Sequence, residues 1–343
     1  MMADAMGNTQ GNARGPILVT GAAGFVGSAL AVRLAGMGYT VVGCDNFNDY
    51  YDPALKRHRV EALLAPAGVP CETVELSDAE QTAALFDRVQ PALVVHLAAQ
   101  AGVRYSLKNP AVYVQANMVA FGHILEACRK HKVDHLLYAS SSSVYGANAK
   151  TPFSESDSTD EPVSLYAATK KANELMAYTY SHLYGIPATG LRFFTVYGPW
   201  GRPDMAYFSF ARKMLAGESI PVFAEGKLYR DFTYIDDIVE GVVRLLFKPS
   251  LPEGKPPHAI FNIGNNQPVQ VLDFIRTLEE AFDVKAELDF QPMQPGDVPA
   301  THADTHKLQD WVGYKPTTSL ATGLGKFAQW YNRASRENAP YLT

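Results

Sequence analysis

Short apolar runs alternate with longer segments of helical spacing along the first 195 residues of the chain. The runs have the length and β-branched content of buried strands, and the segments between them repeat apolar residues every three or four positions. The predicted strands are 17–20, 40–44, 72–76, 93–97, 136–139 and 188–194. The predicted helices are 25–37, 79–89, 111–130 and 164–183. This alternation predicts an α/β fold, a doubly wound parallel sheet with helices on both faces.

The pattern changes after Phe194. Predicted strands become shorter, and Pro and Gly become frequent at 198–203 and 251–257. Helical spacing continues at 207–215 and 236–247, which predicts further helices. Turn-rich segments between short elements are typical of a second, smaller unit.

This change divides the chain into two predicted domains. The first covers residues 15–195, and a strand near 260–264 is expected to return to its sheet. The second, a smaller C-terminal α/β domain, covers 196–343. Residues 1–14 lack the apolar core of a secretion signal and are interpreted as a disordered tail.

Composition and charge argue against several classes of binding partner for this chain. The 343 residues carry a formal net charge of −5 with no Lys/Arg block, which disfavours nucleic acid and anionic membranes as partners. No apolar run reaches the roughly 18 residues of a membrane-spanning helix. Cys44, Cys71 and Cys128 lie far apart, which fits neither a disulfide framework nor a metal pair, and the nine histidines show no metal-binding spacing. A cytoplasmic globular protein without a metal is expected.

A glycine-rich turn, TGAAGFVG, follows the first predicted strand and opens the first predicted helix. Gly21 would permit the tight turn, Gly24 the approach of backbone N–H groups to phosphate, and Gly27 close packing of the helix on the sheet. The helix N-terminus adds partial positive charge, so the turn suits a dinucleotide pyrophosphate. The spacing GxxGxxG alone is weak evidence, because a merely glycine-rich turn would look the same.

Asp45 ends the second predicted strand, where a carboxylate can accept hydrogen bonds from both ribose hydroxyls of an adenosine. A carboxylate there would repel a 2′-phosphate, which favours NAD over NADP. Asp45 alone could be a turn residue before Asn46. Together with the three glycines it predicts dinucleotide binding by a Rossmann-type fold.

Tyr166 and Lys170 lie one helical turn apart on one face of a predicted helix. A free tyrosine has a pKa of about 10, too high for a base near neutral pH, and a neighbouring ammonium is expected to lower it. Ser141 belongs to a serine run at the end of an upstream strand, where its hydroxyl could share the hydrogen bond to a reacting oxygen. Taken alone, Tyr166 and Lys170 could be an ordinary pair on an exposed helix, and the serine run could be a solvated turn. Taken together, the three residues indicate acid–base chemistry.

Taken together, TGAAGFVG, the Asp45-Asn46 strand end, SSSSVYG and the Tyr166/Lys170 pair resemble the extended short-chain dehydrogenase/reductase family of NAD-dependent nucleotide-sugar epimerases and dehydratases. The resemblance continues through RDFTYIDD and covers nearly the whole chain. Within the family, DNFNDYYDPALK, AAQAGVRYS, LRFFTVYGPWGRPDMA and QPGDVPATHAD are most similar to the UDP-glucuronate 4-epimerases.

The resemblance implies tightly bound NAD as the cofactor. The residues expected to contact NAD are Gly21, Gly24, Phe25, Gly27, Asp45, Asn46, Glu75, Leu76, Ala98, Ala99 and Lys170. Relatives often carry Asp-Ile or Asp-Leu where this chain has Glu75-Leu76, so the adenine contact is left open. Tyr166 is the expected base, with Lys170 and Ser141 as its partners.

A UDP-sugar substrate is implied as well. The expected substrate contacts are Ser142, Ser143, Thr195, Arg104, Arg202, Arg230 and Asp297. Arg202 and Arg230 are expected at the diphosphate, because guanidinium forks match phosphate geometry, and Asp297 is expected at the uridine ribose. Thr195 stands where neutral-sugar 4-epimerases usually have Asn. Together with the serine run, its hydroxyl could bind the carboxylate of a uronic acid. An equally good interpretation is that Thr195 is simply a residue at the end of a strand.

The implied reaction interconverts UDP-glucuronate and UDP-galacturonate through a transient 4-keto intermediate. A UDP-glucuronate decarboxylase that forms UDP-xylose shares the first step, and an epimerase for UDP-glucose or UDP-N-acetylglucosamine is the next alternative. A 4,6-dehydratase fits less well, because its Ser/Thr-Asp-Glu triplet is replaced by Ser141-Ser142-Ser143. A non-catalytic NAD-binding regulatory module is the alternative from another class.

Many relatives form a homodimer in which two helices of each subunit build a four-helix bundle. The corresponding segments of this chain are about 110–130 and 165–183. Composition does not test this, since a helix face rich in Ala, Tyr and Leu can equally pack on its own sheet.

Overall fold

A seven-stranded parallel sheet forms the centre of the computed structural model, which describes residues 15–293, 298–337 and 339–342. The strands of this central sheet are β1 (Ile17–Thr20), β2 (Val41–Asp45), β3 (Cys71–Thr73), β4 (Leu93–His96), β5 (His135–Ser141), β6 (Ala188–Phe193) and β10 (His258–Ile263). Their order is β10-β6-β5-β4-β1-β2-β3. The predicted doubly wound parallel sheet is confirmed.

Two smaller sheets lie in the second half of the chain. Their strands are β7 (Thr195–Tyr197), β8 (Ile220–Phe223), β9 (Tyr229–Tyr234), β11 (Pro268–Gln270) and β12 (Leu288–Gln291). The order β11-β9-β7 forms one sheet, and β12 pairs with β8 in the other.

Twelve α-helical segments surround these sheets in the described part of the chain. They are α1 (Phe25–Gly36), α2 (Pro53–Arg59), α3 (Ala79–Val89), α4 (Val103–Lys108), α5 (Pro110–Tyr113), α6 (Ala120–His131), α7 (Leu165–Tyr184), α8 (Ala206–Leu215), α9 (Ile235–Leu246), α10 (Val271–Phe282), α11 (His306–Val312) and α12 (Leu320–Arg336). A wider π-helical turn extends α2 over Val60–Leu64, and another joins α5 to α6 over Val114–Val119.

Strand β1 shows why the sheet must be covered on both faces. All four of its residues are buried. Ile17 and Val19 belong to one apolar core, whereas Leu18 belongs to a second core on the opposite face. Successive side chains of a strand point to opposite faces, so a continuous apolar run requires helices on both.

The predicted elements of the first half agree with the structure to within a few residues. The main difference is the third strand, which is Cys71–Thr73 rather than 72–76. It is a short edge strand, and the chain turns after it, since the N–H of Asp78 donates to the carbonyl of Glu75. The predicted helix 111–130 is helical throughout, but its first half contains the π-helical turn Val114–Val119.

Helix α2 is not among the elements predicted from the sequence. Asp52 caps this helix, because its carboxylate accepts a hydrogen bond of 2.8 Å from the N–H of Ala54. Pro53 follows at the first helical position, where a missing N–H costs nothing. An Asp-Pro pair is a helix-start signal, and it could have predicted α2.

One apolar core runs through both halves of the chain. It includes Ile17 of β1, Val196 of β7 and Phe327 of α12. Strand β10 pairs in parallel with β6, so the chain returns to the central sheet after the second half has begun. The division into domains at 195 stays a prediction, and the expected tail over 1–14 lies outside the described residues. None of the helices that the structure describes is both long and apolar enough to cross a membrane.

Candidate functional site

A cleft of about 830 Å³ opens at the carboxyl ends of the central strands. Every described residue that the sequence predicts for the site lines it: Gly21, Gly24, Phe25, Gly27, Asp45, Asn46, Glu75, Leu76, Ala98, Ala99, Arg104, Ser141, Ser142, Ser143, Tyr166, Lys170, Thr195, Arg202 and Arg230. Asp297 lies outside the described residues. The fold therefore brings predicted cofactor, catalytic and substrate residues into one cavity, as expected for the carboxyl edge of an open α/β sheet.

The glycine-rich turn needs its glycines. Gly21 has φ +68°, and a Cβ there would lie 2.8 Å from the backbone nitrogen of Ala98. A Cβ on Gly27 would lie 2.1 Å from the carbonyl oxygen of Gly21. Helix α1 begins directly after Gly24, so its unpaired N–H groups and its positive dipole end face the cleft. The backbone therefore packs too closely for a side chain at Gly21 or Gly27, and the helix N-terminus beside this turn suits a phosphate.

Asp45 lies at the carboxyl end of β2 and is 8% exposed. One carboxylate oxygen accepts a hydrogen bond of 2.9 Å from the N–H of Phe47, and the Lys56 amine lies 3.7 Å from the same oxygen. The Asn46 amide donates to Glu75 at 2.8 Å. Burial opposes ionisation of Glu75, but hydrogen bonds from Asn46 and Ser77 lower its pKa.

This edge of the cleft fits NAD. The turn offers open backbone for the pyrophosphate, and Asp45 offers a carboxylate for the adenosine ribose. Ala98 and Ala99, which follow β4, line the same cleft with small side chains.

Ser141, Tyr166 and Lys170 meet deeper in the cleft. Ser141 is the last residue of β5, and the other two lie in the first two turns of α7. The Ser141 hydroxyl donates to the Ser143 hydroxyl at 3.1 Å and lies close enough to Tyr166 to lower the pKa of that phenol. The Lys170 amine donates to the carbonyl of Ala139 at 2.9 Å. Ser164 caps α7, because its hydroxyl accepts a hydrogen bond of 3.1 Å from the N–H of Ala167. This cap sets the start of α7 and so places Tyr166 in its first turn.

Burial controls the protonation of this cluster. Desolvation lowers the pKa of Lys170 to about 7. Desolvation also raises the pKa of Tyr166, although the hydrogen bond from Ser141 and the charge of Arg202 lower it in part. The expectation that Lys170 lowers the pKa of Tyr166 is therefore wrong for the chain alone. Burial disfavours both the phenolate of Tyr166 and the ammonium of Lys170. The Lys170 amine therefore loses its charge near pH 7.

Thr195 lies where the chain leaves the central sheet. The N–H of Phe194 still donates to Ile263 of β10 at 3.0 Å, whereas Thr195 pairs with Phe232 in the smaller sheet. Its side chain lines the cleft that Ser142 and Ser143 also line. Thr195, Ser142 and Ser143 therefore line one cleft, and their role as a carboxylate cradle stays a prediction.

Arg202 has a partner that sequence reasoning did not predict. Its guanidinium donates two hydrogen bonds to Asp204, from Nε at 2.9 Å and from Nη2 at 2.5 Å. The Tyr50 hydroxyl donates to the same carboxylate at 3.1 Å. Arg202 lines the same cleft as Ser141 and Tyr166, and its charge partly lowers the pKa of Tyr166.

Arg104 and Arg230 also line the cleft, and both contact residues from the second half of the chain. Arg104 lies over the Phe223 ring, 5.3 Å from its centre. Arg230 donates to the carbonyl of Tyr229 at 2.8 Å and to that of Pro299 at 3.5 Å. Both guanidinium groups reach the cavity wall, so both remain candidates for an anionic part of the substrate.

No group of three or more His, Cys, Asp or Glu side chains within residues 15–293, 298–337 and 339–342 is arranged to hold a metal ion. His96 illustrates what the buried histidines do instead. One of its ring nitrogens lies 2.8 Å from the Thr20 hydroxyl, and burial lowers the pKa of His96 to about 3.

Residues 17–264 match the NAD dependent epimerase/dehydratase family. The chain belongs to this family. The predicted membership is confirmed, and with it the dependence on NAD to which the glycine turn and Asp45 pointed.

The chain is similar to epimerases of UDP-glucuronate from several organisms. UDP-glucuronate 4-epimerase 1 of Arabidopsis thaliana is 52% identical over 328 residues, which cover 92% of this chain and 76% of the relative. A probable UDP-glucuronate 4-epimerase of Rhizobium meliloti is 45% identical over 332 residues, 93% of this chain and 97% of the relative. The crystal structure of UDP-glucuronic acid 4-epimerase from Bacillus cereus with UDP-glucuronic acid and NAD has 34% identity and a TM-score of 0.85, covering 93% of this chain and 99% of that one.

Three residues that line the cleft, Tyr50, Lys56 and Asp204, were not predicted from the sequence. The fully buried Arg59, which bonds to Ala23 of the glycine-rich turn, was not predicted either. Tyr50 and Lys56 lie in DNFNDYYDPALK, which was matched to the family only as a block of sequence, and Arg59 lies three residues beyond it. The helix-start signal Asp52-Pro53 could have placed Lys56 and Arg59 on a helix beside the Asp45 strand end, but their partners could not be predicted from spacing.

Proposed function

We propose that this protein is a UDP-glucuronate 4-epimerase, which interconverts UDP-glucuronate and UDP-galacturonate through a transient 4-keto intermediate. The observation that carries the proposal is the convergence of Ser141, Tyr166 and Lys170 with Thr195 in the one cleft that also holds the NAD turn. Relatives with 45–52% identity that are named as UDP-glucuronate 4-epimerase or probable UDP-glucuronate 4-epimerase support it.

Tyr166 is the proposed base. Its hydroxyl takes the proton from the C4 hydroxyl of the sugar and later returns it, and the Ser141 hydroxyl shares the hydrogen bond to that oxygen. The Lys170 amine lies one helical turn away and is held at the floor of the cleft by Ala139. NAD, when bound, accepts the hydride from C4 and returns it to the opposite face of the sugar.

Thr195, Ser142 and Ser143 are the proposed contacts of the sugar carboxylate. Oxidation at C4 produces a β-keto acid, which loses CO2 when the breaking bond aligns with the ketone. Neutral hydroxyl donors can fix the orientation of the carboxylate without neutralising its charge. Holding the carboxylate out of that alignment lets the ring turn and the hydride return.

The remaining predicted contacts would anchor the nucleotide. Arg202 and Arg230 are proposed for the diphosphate and Asp297 for the uridine ribose, with Arg104 at either the phosphate or the carboxylate. In this proposal residues 15–195 serve the cofactor and the chemistry, and residues 196–343 serve most of the nucleotide sugar.

Incubation with UDP-glucuronate tests the function. UDP-galacturonate is expected as the main product, measured by chromatography and by the sugar proton couplings in NMR. UDP-xylose with CO2 as the main product would assign a decarboxylase, and no turnover of the NAD-loaded protein would contradict the proposal. Thr195→Val should reduce turnover of UDP-glucuronate far more than any turnover of UDP-glucose.

A homodimer formed by helices is also proposed. Large apolar side chains are exposed along one stretch of helices, namely Leu107, Val114, Leu175, Tyr178, Leu183 and Tyr184. Exposed apolar residues on neighbouring helices are typical of a protein interface. Light scattering should give twice the chain mass of 37.5 kDa, and Leu175→Glu should give the monomer mass. A monomeric wild type would contradict the proposal.

The proposed location is the cytoplasm. Cys44, Cys71 and Cys128 carry free thiols, which suits a reducing compartment. Fractionation of the source cells, with the protein detected by antibody, tests this, and recovery outside the cytoplasmic fraction would contradict it.

A further inference from the structure

Arg59, the last residue of α2, is fully buried. Its guanidinium donates four hydrogen bonds, three of them to backbone carbonyls. The acceptors are the Ala23 carbonyl at 3.0 Å, the Tyr51 hydroxyl at 2.7 Å, the Trp200 carbonyl at 2.9 Å and the Gly201 carbonyl at 3.1 Å. These acceptors belong to three segments that are distant in sequence.

No carboxylate of the described chain lies within 4.0 Å of this guanidinium. The Tyr51 ring lies 5.6 Å from its centre and adds only a cation–π contact. Burying a cation without a counterion is unfavourable, so burial alone gives no reason for an arginine here. The planar guanidinium of Arg59 instead fixes the relative positions of the three segments that it joins.

Two of the joined segments belong to the two halves of the proposed site. Ala23 lies in the glycine-rich turn, next to Gly24. Trp200 and Gly201 directly precede Arg202, which lines the same cleft as Ser141 and Tyr166. One buried side chain therefore connects the NAD turn to the loop that carries a proposed substrate contact.

The loop before Arg202 has an unusual backbone. Trp200 has φ +64°, a left-handed conformation that a bulky residue adopts only when its surroundings hold it there. The hydrogen bond from Arg59 to the Trp200 carbonyl is one such restraint. Beyond the loop, the Arg202 fork on Asp204 fixes the direction of the side chain.

We propose that Arg59 is a positioning residue that acts through Arg202. It holds the loop of Trp200 and Gly201 so that Arg202 meets an anionic group of the nucleotide sugar, and through Ala23 it ties this loop to the turn that holds NAD. The proposal rests on the proposed function for its substrate, but its effect on NAD does not depend on which sugar is turned over.

Arg59→Lys tests the proposal, because lysine keeps the charge but cannot bridge the same acceptors. We expect the KM for UDP-glucuronate to rise about 10- to 100-fold, since small misplacements have effects of this size. NAD retained through gel filtration, measured by absorbance, should fall. Arg57→Lys, an exposed neighbour on the same helix, is the matched control and should match the wild type.

The Arg202→Lys background shows whether Arg59 acts through Arg202. There the change Arg59→Lys should no longer raise KM, while its effect on NAD retention should persist. An undiminished KM effect in this background would overturn the proposal. So would an Arg59→Lys enzyme that is less heat-stable but keeps wild-type KM and NAD retention, because that result assigns a merely structural role.

Two further arms keep the test decisive. If Arg59→Lys does not fold, Tyr51→Phe removes one acceptor only and is measured in the same way; wild-type KM and NAD retention would then overturn the proposal.

If the wild type does not turn over UDP-glucuronate, the proposed function fails. The loss of NAD from Arg59→Lys but not from Arg57→Lys still supports the tie to the glycine turn, and equal retention overturns it.

Discussion

Glu174 and Arg192 form a two-bond ion pair inside the protein, each side chain being 3% exposed. The guanidinium donates from Nε to Oε1 and from Nη2 to Oε2, both at 2.8 Å. The Ser140 hydroxyl adds a third hydrogen bond to Glu174 at 2.6 Å. This network joins α7, which carries Tyr166, to β5 and β6, and so fixes α7 on the sheet.

Glu174→Gln is expected to lower the free energy of unfolding by about 3–5 kcal/mol, because it leaves a buried guanidinium without its counterion. Urea unfolding followed by circular dichroism measures this. Glu225→Gln, which removes an exposed pair with Lys227, is the control and should leave the unfolding midpoint unchanged. Equal midpoints for the two variants would show that the buried pair contributes nothing.

Lys170 should make stability depend on pH in one direction. Burial lowers its pKa from 10.5 to about 7. Below pH 7 the amine is charged in both the folded and unfolded chains, so the full penalty of burying an ammonium is present. Between pH 7 and 10.5 the folded chain releases the proton first, so this penalty falls as the pH rises.

Relative to Lys170→Met, the wild type should therefore gain about 2 kcal/mol of stability between pH 7 and pH 9. Urea unfolding of both proteins without added NAD gives this difference. Lys171→Met, a change at the adjacent, more exposed residue, should show a difference that does not vary with pH. A pH-independent difference for Lys170→Met as well would contradict the neutral amine.

Tyr166→Phe removes the hydroxyl proposed as the base and should reduce kcat for UDP-glucuronate by about 10²- to 10⁴-fold. NAD retention and Tm should stay at wild-type values, since the ring and its contact with Tyr113 remain. Tyr39→Phe is the control, because Tyr39 stacks on Phe247 outside the cleft. A kcat within twofold of the wild type would assign the proton transfer to another group.

Gly27→Ala should remove NAD binding. The added Cβ would meet the backbone of Gly21 at 2.1 Å, and neither segment can move without opening the turn. Gly36→Ala at the other end of α1 meets no atom within 4 Å and should leave NAD binding unchanged. Titration with NAD, followed by calorimetry, compares the two. Wild-type affinity in Gly27→Ala would show that the turn does not hold the cofactor.

The central sheet could be predicted because its determinants are local. Ile17–Thr20 is apolar at every position except its last, and a parallel strand covered on both faces has this pattern. The pairing of Tyr166 with Lys170 is equally local, since helical spacing alone puts them on one face. The missed α2 was also within reach, through Asp52 and Pro53.

The sequence by itself therefore determined the sheet, the glycine turn and the catalytic helix, since each depends on residues a few positions apart. Only the tertiary structure decided what surrounds them. Arg59 meets Gly201 across 142 residues of chain, and no spacing rule relates the two. The raised pKa of Tyr166 has the same origin, because desolvation depends on the segments that fold over the hydroxyl and not on the lysine one turn away.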